Sequence, residues 1–221
     1  MAFIIRPPAF GGIFCGLSED LPLDKSKIYR GDPIPSERFP ENIAIYARKN
    51  AKIPDIFFFY DAVYLCCSKE GRDFIEKYAP GDCDFSIVDA HYGRGGWTPN
   101  KAKLGVKLER EYFFLNTKSR LDTIDWIESK AKSEKTWIYR AYSDEKIWGT
   151  NIQWPILDES GIERAFEGLV IRKSLRKGVN IWRENMAGWQ LASCIFISDE
   201  IRQLIQKEKI GRFEYIPVME I

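Results

Sequence analysis

One pattern of punctuation occurs twice in this sequence and restricts the fold more than any other feature. A short apolar run at 63–67 leads into Ser68, then into a stretch whose Phe74, Ile75 and Tyr78 recur at helical spacing. The stop Pro80-Gly81 follows, and then a second apolar run at 85–88. Cys194-Ile195-Phe196-Ile197 leads in the same way into Ser198, with Asp199 and Glu200 where the positive end of a helix favours acids. Ile201, Leu204, Ile205, Gly211, Phe213, Tyr215 and Val218 complete that copy. The stretches align without a gap at an offset of 130 residues: Ser68 on Ser198, Arg72 on Arg202, Ile75 on Ile205, Lys77 on Lys207, Gly81 on Gly211 and Val88 on Val218. Each is expected to fold as strand–helix–strand, because the serine hydroxyl satisfies an amide that the first helical turn leaves unpaired.

The remaining segments are read by the same rules. Residues 7–42 carry Pro7, Pro8, Gly11, Gly12, Pro22, Gly31, Pro33, Pro35 and Pro40, too dense a set for long helices or central strands. A regular pattern begins near Ile43, and the run at 56–60 is β-rich. Residues 91–104 read as a glycine-rich loop and 106–115 as one strand. Thr117 or Ser119 is placed to cap a helix whose face is Leu121, Ile124, Ile127 and Ala131. Trp137-Ile138-Tyr139 and Ile147-Trp148 read as a hairpin around Ser143-Asp144, Ile162, Ala165, Phe166 and Leu169 as a short helix, and 179–183 as a strand. The expected class is α+β, with mixed sheets and a few short helices. No linker divides the chain, so 1–221 reads as a single globular unit, with 1–104 and 105–221 as candidate halves.

Charge and cysteine content narrow the setting. Thirty-three Lys and Arg against 32 Asp and Glu leave a net charge of +1, so no global field draws in nucleic acid or an anionic membrane. The first ten residues lack a basic start and are interrupted by Arg6, Pro7 and Pro8, unlike a secretory signal, and no apolar run reaches the length of a membrane span. Five cysteines, an odd number with no C-x-x-C spacing, fit reduced thiols in a cytoplasmic protein. Cys66, Cys67 and Cys194 are expected to stay reduced with at least two of them buried on strands, the first pair pointing to opposite faces.

Catalytic patterns are sparse. His91 is the sole histidine, so any Ser-His or Cys-His mechanism would have to use it, and a histidine metal site would have one imidazole. Gly93-Arg94-Gly95-Gly96 matches no phosphate-binding pattern. The chain therefore reads as a non-enzyme that calls for no metal, no cofactor and no small-molecule ligand. Two basic groups could contact a charged partner: Lys101, Lys103, Lys107 and Arg110 near Trp97, and Arg172, Lys173, Arg176 and Lys177 near Trp182. For a protein partner the better candidates are His91, Tyr92, Arg94 and Trp97, which place aromatic rings and an arginine on a glycine-rich backbone.

The closing stretch, with Arg183, an apolar strand at 195–197, Ser198-Asp199, Ile201, Leu204, Gly211, Phe213, Pro217 and Val218, resembles that of bacterial polymorphic-toxin immunity proteins. The resemblance is to the immunity-eleven type, formerly a domain of unknown function, with the forty-three type as second choice. The likeness extends over about residues 53–218, and 133–163 match nothing in it. It implies a protein that binds and neutralises a cognate secreted toxin stoichiometrically inside the producing cell. A small carboxylate-based enzyme and a nucleic-acid-binding adaptor remain the competing readings.

Overall fold

The computed structural model describes residues 1–8, 14–17, 41–47, 52–59, 64–95, 102–129, 132–139, 146–153, 168–184 and 194–221, with 132–139 and 146–153 described as backbone. In chain order the elements are β1 (Ala2–Arg6), β2 (Phe14–Leu17), β3 (Asn42–Tyr46), β4 (Ile56–Phe59), β5 (Tyr64–Ser68), α1 (Lys69–Tyr78), β6 (Cys83–Arg94), β7 (Lys103–Lys107), β8 (Tyr112–Thr117) and β9 (Arg120–Leu121). They continue with β10 (Lys132–Tyr139), β11 (Lys146–Gln153), β12 (Val170–Ile171), α2 (Lys173–Arg176), β13 (Ile181–Glu184), β14 (Ile195–Ser198), α3 (Asp199–Glu208) and β15 (Glu214–Glu220). The class is α+β, as the sequence predicts.

Both serines cap their helices. Ser68 accepts the Gly71 amide and Ser198 the Ile201 amide, each at 3.3 Å, which satisfies one donor of each first turn. The stops differ between the copies. Gly81 adopts a left-handed conformation (φ 82°) after α1, but after α3 it is Lys209 that does so (φ 56°). Gly211 bridges to Ile56 instead of ending the helix.

In both units the two parallel strands are separated by a third, antiparallel strand. β8 lies between β5 and β6, aligning Ser68, Tyr112 and Val88 in one row and Leu65, Leu115 and Phe85 in another. β1 lies between β14 and β15, aligning Ser198, Ala2 and Val218, and Ile195, Ile5 and Tyr215. The rows correspond position for position at the offset read from the sequence. The flanks repeat as well: β4 and β13 pair antiparallel with β5 and β14, while β3 and β12 pair parallel with β6 and β15. The orders β3-β6-β8-β5-β4 and β12-β15-β1-β14-β13 are thus one arrangement occurring twice. Its central strand is exchanged: β1 completes the sheet of the C-terminal unit, and β8 completes that of the N-terminal unit.

Three apolar clusters follow from this arrangement. The central one joins Phe3, Ile5 and Ile197 of one sheet to Leu65, Cys67 and Phe113 of the other, with Phe74 and Ile75 of α1 and Ile201 and Ile205 of α3 among them. On the far face of each sheet lies a further cluster, one around Ile43, Phe57, Cys66 and Phe114 and one around Ile4, Ile171, Trp182 and Phe196. Cys66 and Cys67 therefore enter different clusters, as strand alternation requires. No disulfide joins the five cysteines, and burial pushes the thiols of Cys66 and Cys67 well up, so neither is poised as a thiolate. Corresponding residues also make corresponding contacts: the Arg72 guanidinium lies 5.0 Å from the Phe113 ring centre, and that of Arg202 lies 4.6 Å from the Phe3 ring centre.

Several expectations are corrected. In place of a helix starting at Thr117 or Ser119, the chain forms β8, β9 and a turn at 126–129, and Ile127 is 83% exposed. Tertiary partners take the amides that a helix would have used: Thr123 donates to the Glu184 carboxylate and Asp125 donates to the Val170 carbonyl. The strand expected over 106–115 is broken between β7 and β8, where Arg110 turns aside to pair with Asp55 and Glu70. The loop expected from residue 91 is, as far as Arg94, the end of β6. The run before Pro7, to which no element is assigned from sequence, is the central strand β1. The helix expected at 162–169 lies outside the described residues up to 167, and Leu169 leads buried into β12. Among the described residues no helix is long and apolar enough to cross a membrane.

Ile205 is 4% exposed and packs in the central cluster, so Ile205→Ala should lower unfolding free energy by ~2–5 kcal/mol in a urea titration. Ser198→Ala should cost about 1 kcal/mol through the lost cap. A loss below about 1 kcal/mol for Ile205→Ala would place that helix face outside the core.

Candidate functional site

The predicted partner-binding residues fall on a β-ribbon. β6 continues past its pairing with β8 and is held at its far end by β3 on one edge and β7 on the other. The register with β7 shifts between His91 and Gly93, a bulge that brings two residues of β7 against one of β6. Gly105 sits at this shift, and a Cβ there would come within 2.6 Å of the Tyr92 carbonyl oxygen. Only glycine allows that approach without a backbone movement.

His91 holds the bulge together. Its Nδ1 lies 3.3 Å from the Gly105 carbonyl oxygen and its Nε2 lies 3.2 Å from Oδ1 of Asn42, with the ring half-buried. The imidazole thus lies within hydrogen-bond reach of an acceptor on each neighbouring strand, and a neutral ring donates its single N–H to one of them. Beyond it, Tyr92 is 49% and Val106 69% exposed, and Arg94 is exposed as well. His91, Tyr92 and Arg94 are brought together on this ribbon, while Trp97 lies outside the described residues. The ribbon offers an aromatic ring, a branched aliphatic chain and an arginine to solvent, a composition suited to protein contact.

Most of the described residues of the two basic groups are already paired with acids. Lys107 Nζ lies 2.6 Å from Asp89 on the ribbon. Arg110 donates to both Asp55 and Glu70, and that bond holds the Glu70 carboxyl below the usual range. Arg172 donates to Asp125 at 2.7 Å, and Arg176 lies 3.7 Å from Glu220 with its guanidinium 5.6 Å from the Trp182 ring centre. Lys103, Lys173 and Lys177 are exposed; Lys101 lies outside the described residues. Trp182 is wholly buried and stacks on Phe196, so it furnishes no binding platform.

Sequence reasoning missed the buried polar groups of the C-terminal unit. On a sheet with one solvated face, alternation along β13 would leave one of Arg183 and Glu184 in solvent, yet both are buried because both faces of this sheet are covered: Ile181 enters the central cluster and Trp182 the far one. The Glu184 carboxylate accepts the Thr123 amide, the Thr123 hydroxyl and the Trp182 indole N–H. Burial nonetheless pushes its carboxyl up, with those bonds opposing the shift. Burial, with Arg120 nearby, brings the Arg183 guanidinium down to about 10. Asp82 accepts the Asn180 and Ile181 amides at 2.7 and 2.9 Å, binding the end of the first unit to β13. Asp125 accepts the Ile127 and Glu128 amides. Each of these carboxylates is committed to backbone donors, and among the described residues no three His, Cys, Asp or Glu are placed to hold a metal ion.

Because Tyr92 and Val106 are exposed and belong to none of the three apolar clusters, replacing both by alanine should leave the thermal midpoint within about 2 °C of the parent. A larger fall in a calorimetric scan would mean that the ribbon tip is part of the core. No protein-family model and no functionally characterised protein matches the chain.

Proposed function

We propose that this protein is an immunity-type inhibitor that neutralises a cognate secreted bacterial toxin in the cytoplasm by one-to-one binding, without turnover. The observation that carries this reading is the β10–β11 hairpin. Its eight-residue strands pair with each other along their whole length and, among the described residues, with no strand of either sheet. The repeated five-strand arrangement does not call for it: at the matching place in the N-terminal unit, between β1 and β3, the described residues form only the edge strand β2. A two-stranded ribbon is marginal in water by itself, and unpaired strand edges and large residues are what partner strands and pockets engage.

The register places Trp137 opposite Trp148 and Ile138 opposite Ile147, and tryptophan is among the residue types that anchor interfaces. All of the hairpin but Lys132 also falls within 133–163, where the resemblance to immunity proteins lapses, and a surface fitted to one toxin is expected to differ between family members. The exposed Tyr92, Arg94 and Val106 of the β6–β7 ribbon supply a second contact of the same character.

Co-expression with a secreted toxin, sought in the neighbouring reading frame, tests the reading. Protection should saturate at about one equivalent, and the complex should survive size-exclusion chromatography, as expected for an interface of ~1,200–2,000 Å². Trp148→Ala should weaken binding by roughly 30-fold or more, a hot-spot loss of about 2 kcal/mol, with the circular dichroism spectrum unchanged. Protection at clearly sub-stoichiometric amounts would mean turnover and would refute inhibition by binding.

A further inference from the structure

We infer that the gap between β14 and β15 is a strand-binding site, and that a second copy of this chain can fill it with its own Ala2–Arg6, so that two copies close as a reciprocally exchanged dimer. The gap has the form of a site. β1 pairs with β14 from Ala2 to Ile5 and with β15 from Ala2 to Arg6, so both of its edges are used. Both of its faces are used as well: Ala2 and Ile4 enter the cluster of Trp182, Phe196 and Val218, and Phe3 and Ile5 enter that of Ile195, Ile197 and Ile201. Ala2 and Ile4 have no exposed surface.

The ligand chemistry can be read from that geometry. The site takes an extended segment whose backbone amides and carbonyls are free on both edges, with a small residue first, then an aromatic, then two aliphatics. Pro7 and Pro8 follow β1 at once. They contribute no amide to a ladder and hold the chain extended, so the pairing of β1 ends at Arg6.

The occupant is argued from the repeat. The β5–β6 gap is the same site in the other unit, filled row for row by β8. Each unit is therefore completed by a strand from the other, and nothing in either ladder depends on which chain that strand comes from. Exchanging an identical element between copies preserves every contact, which makes it a low-cost route to dimers.

The test uses the full chain carrying Ile4→Ala and a synthetic peptide of residues 1–8 with the parent sequence. A tethered strand acts at an effective concentration on the order of 1 mM. Removing the Ile4 side chain should weaken it roughly 100-fold, so the peptide should compete from about 10 µM. The thermal midpoint of the variant should rise with peptide concentration by mass action, and a peptide carrying Ile4→Pro should have no effect. If Ile4→Ala is unfolded alone, recovery of its circular dichroism on adding peptide reads the same affinity, and Ile4→Val supplies a folded background. The parent protein refolded at high concentration should yield a dimer on size-exclusion chromatography, and excess peptide present during refolding should suppress it. No peptide response up to about 1 mM, or refolding to monomer alone at every concentration, would overturn the inference.

Discussion

The insertion of β1 between β14 and β15 is the contact on which the rest of the structure depends. Without it these strands lie two strand spacings apart, with a row of backbone donors and acceptors facing an empty gap inside the protein. Buried peptide groups left unpaired are costly, so the C-terminal unit cannot close from its own residues. The N-terminal unit depends on β8 in the same way. Each half of the sequence holds the key to the other, and the central cluster, which draws apolar residues from both sheets and both helices, forms only when both insertions are made.

Against this shared frame, the asymmetries show where the halves have diverged. Ile56 donates its amide to the Ile210 carbonyl, whereas at the corresponding place in the other unit Ile181 donates to the Asp82 carboxylate. The N-terminal unit extends into the β6–β7 ribbon with its exposed Tyr92, Arg94 and Val106, and the C-terminal unit carries the β10–β11 hairpin between β9 and β12. Neither β7 nor the hairpin belongs to the repeated five-strand order. The buried acids, by contrast, stitch the frame: Asp82 joins the units, Glu184 fastens the segment around Thr123 to β13, and Asp125 holds a turn and pairs with Arg172.

What the sequence disclosed and what it hid divide along the range of the interactions. Ser68 and Ser198 were legible because a cap is satisfied within three residues, and the strand–helix–strand units followed from that. β1 was not legible: five residues ending in Arg6 and followed by two prolines carry no local mark of a central strand, and only partners nearly two hundred residues away make them one. The described part of the expected helix, 119–129, misleads for the converse reason, and Ala131 lies outside the described residues. Leu121, Ile124 and Ile127 do recur at helical spacing, but Glu184 and Val170 claim the amides of Thr123 and Asp125, and no local signal announces that. His91, Tyr92 and Arg94 stand out by residue type, while their place on a bulged strand depends on Gly105 and Asn42, distant in sequence.

The most direct test of the interlocked account is native-state hydrogen exchange of the intact protein, read for β1 against β14 and β15. If β1 is the central strand of the C-terminal sheet, the amides of residues 3–6 should open only together with those of 195–198, 214–216 and 218–220, with protection comparable to the core. Rapid, fraying exchange of residues 3–6 while 195–198, 214–216 and 218–220 stay protected would contradict it.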